Sequence, residues 1–360
     1  MKNIFIIVIL ICVVAQGWIG CTIERFPIGP FLDLQDSIVT VADTTYLELY
    51  PPFQLGFNKP TAILVGKDQL FYVADTKNDR VVMMDVAGGY IDECHIRNPI
   101  SLAQDYRLDL LVGGVVEKSD GSLVGALFRI HLLDALHNLK NADIDTIWKE
   151  SAHPNRRFVG IGVLPDNQFL VSRTGPNNSS GIDPDTRVMN FSEQNEYITP
   201  ISDLITGMGT GISFINQLTQ LAIYPGTKDF VLLQRNIGVA YGALWMTFVK
   251  EGDSFEGYKP KFDPTNPKDA GVDFIRPNRF ITPSGVAIDN KRLDIFIIDV
   301  AQDSVFKFNS RGAFKSASFG LTRTNYRMVS PTGAAFFDKT LFIADSSANC
   351  IFRFKLSSDF

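Results

Sequence analysis

One pattern recurs along this chain and restricts what it can become. Pro60-Thr61-Ala62, Leu70-Phe71-Tyr72-Val73-Ala74-Asp75 and Arg80-Val81-Val82-Met83-Met84-Asp85 follow one another near the N-terminus. The same succession returns as Pro283-Ser284-Gly285-Val286, Ile295-Phe296-Ile297-Ile298-Asp299 and Val305-Phe306-Lys307-Phe308. It returns again as Pro331-Thr332-Gly333-Ala334, Leu341-Phe342-Ile343-Ala344-Asp345 and Cys350-Ile351-Phe352-Arg353-Phe354. Each copy holds three short apolar or alternating runs between turn residues, the pattern of a small antiparallel sheet. One such sheet cannot bury both faces alone, so like units must stack.

Weaker copies fill the middle, beginning at Pro99, Gly160 and Leu221. Together with the clear ones they predict an all-β fold, a six-bladed β-propeller of four-stranded blades. The last copy ends at Phe354-Lys355-Leu356, one strand short, while Ser37–Val41 and Tyr46–Tyr50 are strand-like runs ahead of the first copy. Either run could supply the missing outer strand and remove an exposed sheet edge.

The Pro-x-Gly, Leu-Phe-Ile-Ala-Asp and Ile-x-x-Phe elements resemble the NHL-repeat family of six-bladed propellers at 60–85, 283–309 and 331–354. That resemblance implies binding of partners or ligands, with lactonases and lyases among the relatives. The stretch from Ala240 through Tyr258 to Arg292 is similar to soluble sugar-dehydrogenase propellers that use a quinone cofactor. Such a site would want a basic cluster and a catalytic histidine near the axis, and His95, His131, His137 and His153 are the only histidines.

Residues 1–20 read as a targeting segment, with Lys2 ahead of an apolar core from Ile4 to Val14 that is short for a membrane span. Three outcomes are open. Ala15-Gln16-Gly17 offers a simple cleavage site; Trp18-Ile19-Gly20-Cys21 resembles a bacterial lipobox, with Trp18 where leucine is usual; or the segment stays as an anchor. The second would lipidate Cys21 and tie the protein to a bacterial membrane through 21–36 as a tether, with the propeller filling 37–360. Each places the chain outside the cytoplasm, in a periplasm, at a cell surface or secreted, where disulfides persist. If Cys21 is acylated, Cys94 and Cys350 remain as an even pair that could bridge the adjoining first and last blades, or stay as two buried thiols. A net charge of −5 without any Lys/Arg cluster argues against nucleic acid as a partner.

Candidate chemistry lies at the last residue of each second strand: Asp75, Gly113, Arg173, Arg235, Asp299 and Asp345. A carboxylate there can accept N–H groups of the following turn; it could also serve a calcium ion at the axis. A guanidinium has donors only. Arg173 and Arg235, the latter flanked by Gln234 and Asn236, therefore read as ligands for a carboxylate, sulfate or sugar acid, or as partners of loop acids such as Asp183, Asp185 and Asp253. His153, before Arg156-Arg157, is the candidate acid–base residue. Leu132 to Leu139 could form a short helix; Glu117–Gly121 reads as a hairpin tip and Thr174–Arg187 as a long loop. Trp148, Tyr197, Tyr241, Trp245 and Tyr258 are candidate interface aromatics.

Two functions stay open on these grounds. One is an anchored propeller that binds an envelope protein or a glycan, in the limit only a rigid spacer in an envelope assembly. The other is an enzyme of lactonase, lyase or sugar-dehydrogenase type, acting on a small substrate at the axial funnel.

Overall fold

A computed structural model describes residues 45–320 and 328–359, apart from 253, 267, 270 and 316. The first strand, β1 (Tyr46–Glu48), is held over for the end of the ring. Blade 1 is β2 (Pro60–Val65), β3 (Phe71–Asp75), β4 (Arg80–Met84) and β5 (Tyr90–His95). Blade 2 follows as β6 (Ser101–Gln104), β7 (Leu110–Glu117), β8 (Leu123–Ile130) and β9 (Ile144–Lys149). Blade 3 is β10 (Arg157–Val163), β11 (Phe169–Thr174), β12 (Arg187–Phe191) and β13 (Tyr197–Pro200). A small parallel pair, β14 (Ile205–Thr206) and β15 (Phe214–Ile215), precedes blade 4. Blade 4 is β16 (Leu218–Ile223), β17 (Phe230–Gln234), β18 (Ala243–Glu251) and β19 (Phe255–Pro260). Blade 5 comprises β20 (Pro283–Ile288), β21 (Ile295–Asp299), β22 (Ser304–Phe308) and β23 (Phe319–Gly320).

Blade 6 contributes β24 (Pro331–Phe337), β25 (Thr340–Asp345) and β26 (Cys350–Leu356), and β1 lies antiparallel to β26 with Tyr46 opposite Leu356. Of the two expected closing runs, the described one is the second. The inner strands touch in the order β2, β6, β10, β16, β20, β24 and back to β2, so the six four-stranded sheets form a closed ring.

Strands two and three of each blade are buried on both faces, and this is where the apolar runs sit: Phe71-Tyr72-Val73-Ala74 and Ile295-Phe296-Ile297-Ile298 are each at most 1% exposed. Contact between blades is close enough to need glycine. A Cβ on Gly160 would lie 2.5 Å from the Leu221 nitrogen, and one on Gly333 would lie 2.8 Å from the Thr61 carbonyl oxygen. These glycines follow the first inner-strand residues, where β-branched side chains could not pass.

The structure corrects several expectations. Cys94 and Cys350 are both free and buried, because they belong to different core clusters. Cys94 packs with Tyr72, Leu102 and Leu110 between blades 1 and 2, whereas Cys350 packs with Tyr46, Ile298 and Leu341 between blades 5 and 6. Burial pushes each thiol up to about 12, which makes both poor nucleophiles. Residues 132–137 are turns, followed only by a single 3-10 turn at Leu139–Asn141, rather than an α-helix; the run is broken where Leu136 (φ 52°) and His137 (φ 60°) adopt the left-handed conformation. Tyr241, Trp245 and Tyr258 are core residues, and Trp148 and Tyr197 pack on Phe191. The hairpin tip after Glu117 and the loop from Thr174 to Arg187 fall where expected. No helix among the described residues is long and apolar enough to cross a membrane. The targeting segment, Cys21, the tether and Ser37–Val41 lie outside the described residues.

Candidate axial site

Five inner strands carry the same irregularity. The register slips between Pro60 and Ala62, Phe158 and Gly160, Leu218 and Gln220, Pro283 and Gly285, and Pro331 and Gly333. A bulge leaves one residue unpaired and re-aims its side chain. Here the unpaired residues are Thr61, Val159, Thr219, Ser284 and Thr332; with Ile100 just before β6 they line one cavity of about 550 Å³. All six blades thus contribute to this funnel at the start of their inner strands. Loop residues Thr174, Gly175, Pro176, Gln217, Arg235 and Thr282 complete it.

The ring of second-position residues is not uniform. Thr219 Oγ1 donates to the Pro283 carbonyl (2.7 Å), Ser284 Oγ to that of Pro331 (2.7 Å) and Thr332 Oγ1 to that of Pro60 (3.2 Å). Thr61 Oγ1 lies 2.7 Å from Thr76 Oγ1 and 3.3 Å from the Pro99 carbonyl oxygen, to which Thr76 also donates. Each hydroxyl therefore ties its blade to the next by the first residue of that blade. Ile100 and Val159 interrupt the belt at blades 2 and 3, where the wall is apolar.

Arg235 is the only ionisable side chain in the funnel lining. It is exposed and makes no ion pair with any described residue. Its strand ends one residue earlier than the sequence suggested. Cross-strand register puts Gln234 opposite Leu218, as Asp75 stands opposite Pro60, and Gln234 takes over the carboxylate's work. Fully buried, its Oε1 accepts the Asn216 N–H (2.7 Å) and its Nε2 donates to the carbonyls of Phe214 and Tyr241. Asn236 bonds Asn278 through its side chain at 3.0 Å. Of the expected anion ligands, Arg235 alone reaches the cavity.

Arg173 is 3% exposed and serves a buried network. Its guanidinium donates to Glu150 (2.8 Å), Asp183 (2.7 Å) and the Pro184 carbonyl (2.7 Å). Arg156, 2% exposed, joins Glu150, Asp183 and Asp185. Burial opposes ionisation of Asp183, but the bonds from Arg173 and Arg156 outweigh it and hold the carboxyl at about 2. With the Arg173 Nε–H on the Asp185 carbonyl as well, four of its five N–H groups are engaged inside the protein, and the guanidinium is buried away from the funnel. His153 stands at the mouth of this network, Nε2 3.8 Å from Asp183 Oδ2. It lines a neighbouring cavity that meets the funnel only at Pro176.

The three aspartates are wholly buried and act as loop latches. Asp75 accepts the Asn58 N–H and the side chains of Asn78 and Arg80, each at 2.7 Å. Asp299 accepts the N–H groups of Ile281, Thr282 and Ala301. Asp345 accepts those of Val329, Ser330, Ser347 and Ala348. No three His, Cys, Asp or Glu side chains among the described residues are grouped to hold a metal. With their oxygens engaged in separate blades, Asp75, Asp299 and Asp345 do not fit an axial calcium. A funnel with one arginine and no histidine likewise does not fit the quinone site that the sequence likeness implies.

No family model matches the chain, and no curated protein matches it. Solved propellers do. A putative gluconolactonase is 11% identical over 88% of this chain and 93% of its own, with a TM-score of 0.54. The PQQ-bound aldose sugar dehydrogenase of Streptomyces coelicolor is 11% identical over 88% and 99%, at 0.56. An auxiliary nutrient binding protein from Bacteroides thetaiotaomicron is 12% identical over 84% and 70%, at 0.56. At these identities the likeness is one of fold: the chain is a six-bladed propeller of the shape that gluconolactonases and sugar dehydrogenases share.

Proposed function

We propose that this protein takes a small anionic or carbonyl-bearing molecule into its axial funnel, with Arg235 as the charge that holds it. One observation carries this reading. A cavity built by all six blades contains a single charged side chain, and that guanidinium has no protein partner among the described residues. A planar fork of donors suits a carboxylate or the oxygens of an ester. The solved neighbours named for gluconolactone, for aldose sugars and for a nutrient support a small-molecule site over a bare scaffold for an envelope partner.

An enzymatic reading of the same funnel has its own support in the fold likeness. Arg235 could stabilise an oxyanion that develops on a bound lactone or ester. The lining offers no side chain that would act as a base at neutral pH, and His153 lies in the next cavity. Hydrolysis would therefore rest on electrostatic stabilisation, with His153 in the adjacent cavity as the base to test. The experiment is calorimetry with small carboxylates alongside turnover of δ-lactones, on the wild-type chain, Arg235→Gln and His153→Gln. Saturable binding lost in Arg235→Gln is expected. Binding that ignores Arg235 would remove the funnel from consideration.

A further inference from the structure

The second-position ring of the funnel is poorly suited to the polyhydroxylated ligand that the names of its sugar-processing neighbours suggest. Sugar recognition needs free donors and acceptors arrayed around the ligand, since each hydroxyl buried without a partner costs about 1–3 kcal/mol. Four hydroxyls of the second-position ring reach the lining, but each has a partner within the protein. Thr219, Ser284 and Thr332 donate to the next blade, and Thr61 is shared between Thr76 and the Pro99 carbonyl. Pulling one towards a ligand would break a join between blades. The remaining second-position residues are Ile100 and Val159, and Leu218, Pro176 and Pro283 add apolar surface beside them. The rim continues in the same character. Ile237, two residues beyond Arg235, is 46% exposed, and Ile281, next to lining residue Thr282, is 50% exposed.

From this asymmetry we propose that the ligand is an amphipathic monocarboxylate or its ester, with its acidic head on Arg235 and its hydrocarbon body against Ile100, Val159 and Leu218. The inference rests on the axial-site reading above and narrows it. One charge fixes the head, while apolar wall residues favour burial of a hydrocarbon chain. A sugar acid would gain the same ionic contact, but the free polar side chains of the lining, Thr174, Gln217 and Thr282, stand outside the second-position ring. A polyol body laid along that ring would meet no free hydroxyl donor there.

The test is isothermal calorimetry of the full chain with octanoate and with gluconate, which share the carboxylate and differ in the body. Octanoate is expected to bind at least tenfold more tightly than gluconate. Arg235→Gln should lower its affinity at least tenfold, and Val159→Thr, a variant that keeps the branched shape, should lower it severalfold. Circular dichroism and a melting curve check that each variant is folded. Gluconate binding as tightly as octanoate, or more tightly, with Arg235 still required, overturns the amphipathic class and leaves the axial anion site standing. If neither binds, or if Arg235→Gln changes nothing, the axial site itself is wrong.

Discussion

Blades 1, 5 and 6 fasten their loops with a buried aspartate, whereas blade 3 does the same job with the charges reversed. In the first set a carboxylate at the end of the second strand gathers N–H groups from the loop ahead and the turn behind. In blade 3 the equivalent residue is Arg173, opposite Phe158 as Asp75 is opposite Pro60. An arginine cannot accept those hydrogen bonds, so acceptors are brought to it: Glu150 from the end of blade 2, and Asp183 and Asp185 from the long loop after β11. Arg156 fills the place from which Asn58 donates in blade 1. The lesson is that the register position is structural in every blade where it carries a polar side chain. Ligand chemistry has to be sought one residue further on, at Arg235.

The largest effect expected from this contrast is in the inverted blade. Arg173→Met leaves Glu150, which is 5% exposed, with one guanidinium fewer to neutralise it. Breaking a buried ion network by removing one partner costs about 3–5 kcal/mol, read as a lower urea midpoint. Adding Glu150→Leu should recover part of that loss, since the stranded carboxylate goes with it. If the double variant is as unstable as the sum of the singles, the network is not the unit described here.

Asp345→Ala tests the ordinary latch. It orphans the N–H groups of Val329, Ser330, Ser347 and Ala348. Unsatisfied donors at this part-buried site should cost about 2–3 kcal/mol after relaxation. Asp345→Asn keeps an acceptor and should lose less. Equal losses would mean that volume, not hydrogen bonding, holds the loop.

Much of this was legible in the sequence, and the misses have physical causes. Period-two runs with repeated turn residues show the blades, because the second and third strands are mostly buried and so carry largely apolar side chains. Gln234 was missed as the latch because strand ends cannot be placed to one residue from propensity; the bulge after each first residue shifts the count. The Arg156–Glu150–Asp183 partnership joins the end of blade 2, the start of blade 3 and the loop after β11, which the packing of neighbouring blades brings together. The funnel's hydroxyl belt did leave a trace, in Pro60-Thr61, Pro283-Ser284 and Pro331-Thr332. Its signal was the recurrence of a hydroxyl after proline at three of the five bulges, against Ile100 and Val159 where the hydroxyl is absent.

Acid sharpens the comparison by a smaller amount. Asp183 is held at about 2 against an ordinary 3.8. Its contribution is therefore present above pH 3.8 and is lost as pH falls toward 2. Its side chain is 44% exposed, so solvent screens much of the effect. Between pH 4 and 2, Asp183→Asn should lose stability less steeply than the wild type in urea titrations at each pH. Parallel slopes would show that the two arginines do not hold Asp183 in solution.

The smallest effect is the most discriminating. Arg173 and Arg235 look interchangeable in the repeat, yet one is enclosed by carboxylates and the other faces the funnel without an ion pair among the described residues. Arg235→Gln should shift the urea midpoint by no more than about 0.5 kcal/mol, as for an exposed residue outside the packing. A residue kept for a ligand contributes nothing to the empty fold. A loss approaching that of Arg173→Met would show that Arg235 is a further latch, and the funnel would then hold no charge free to meet a ligand.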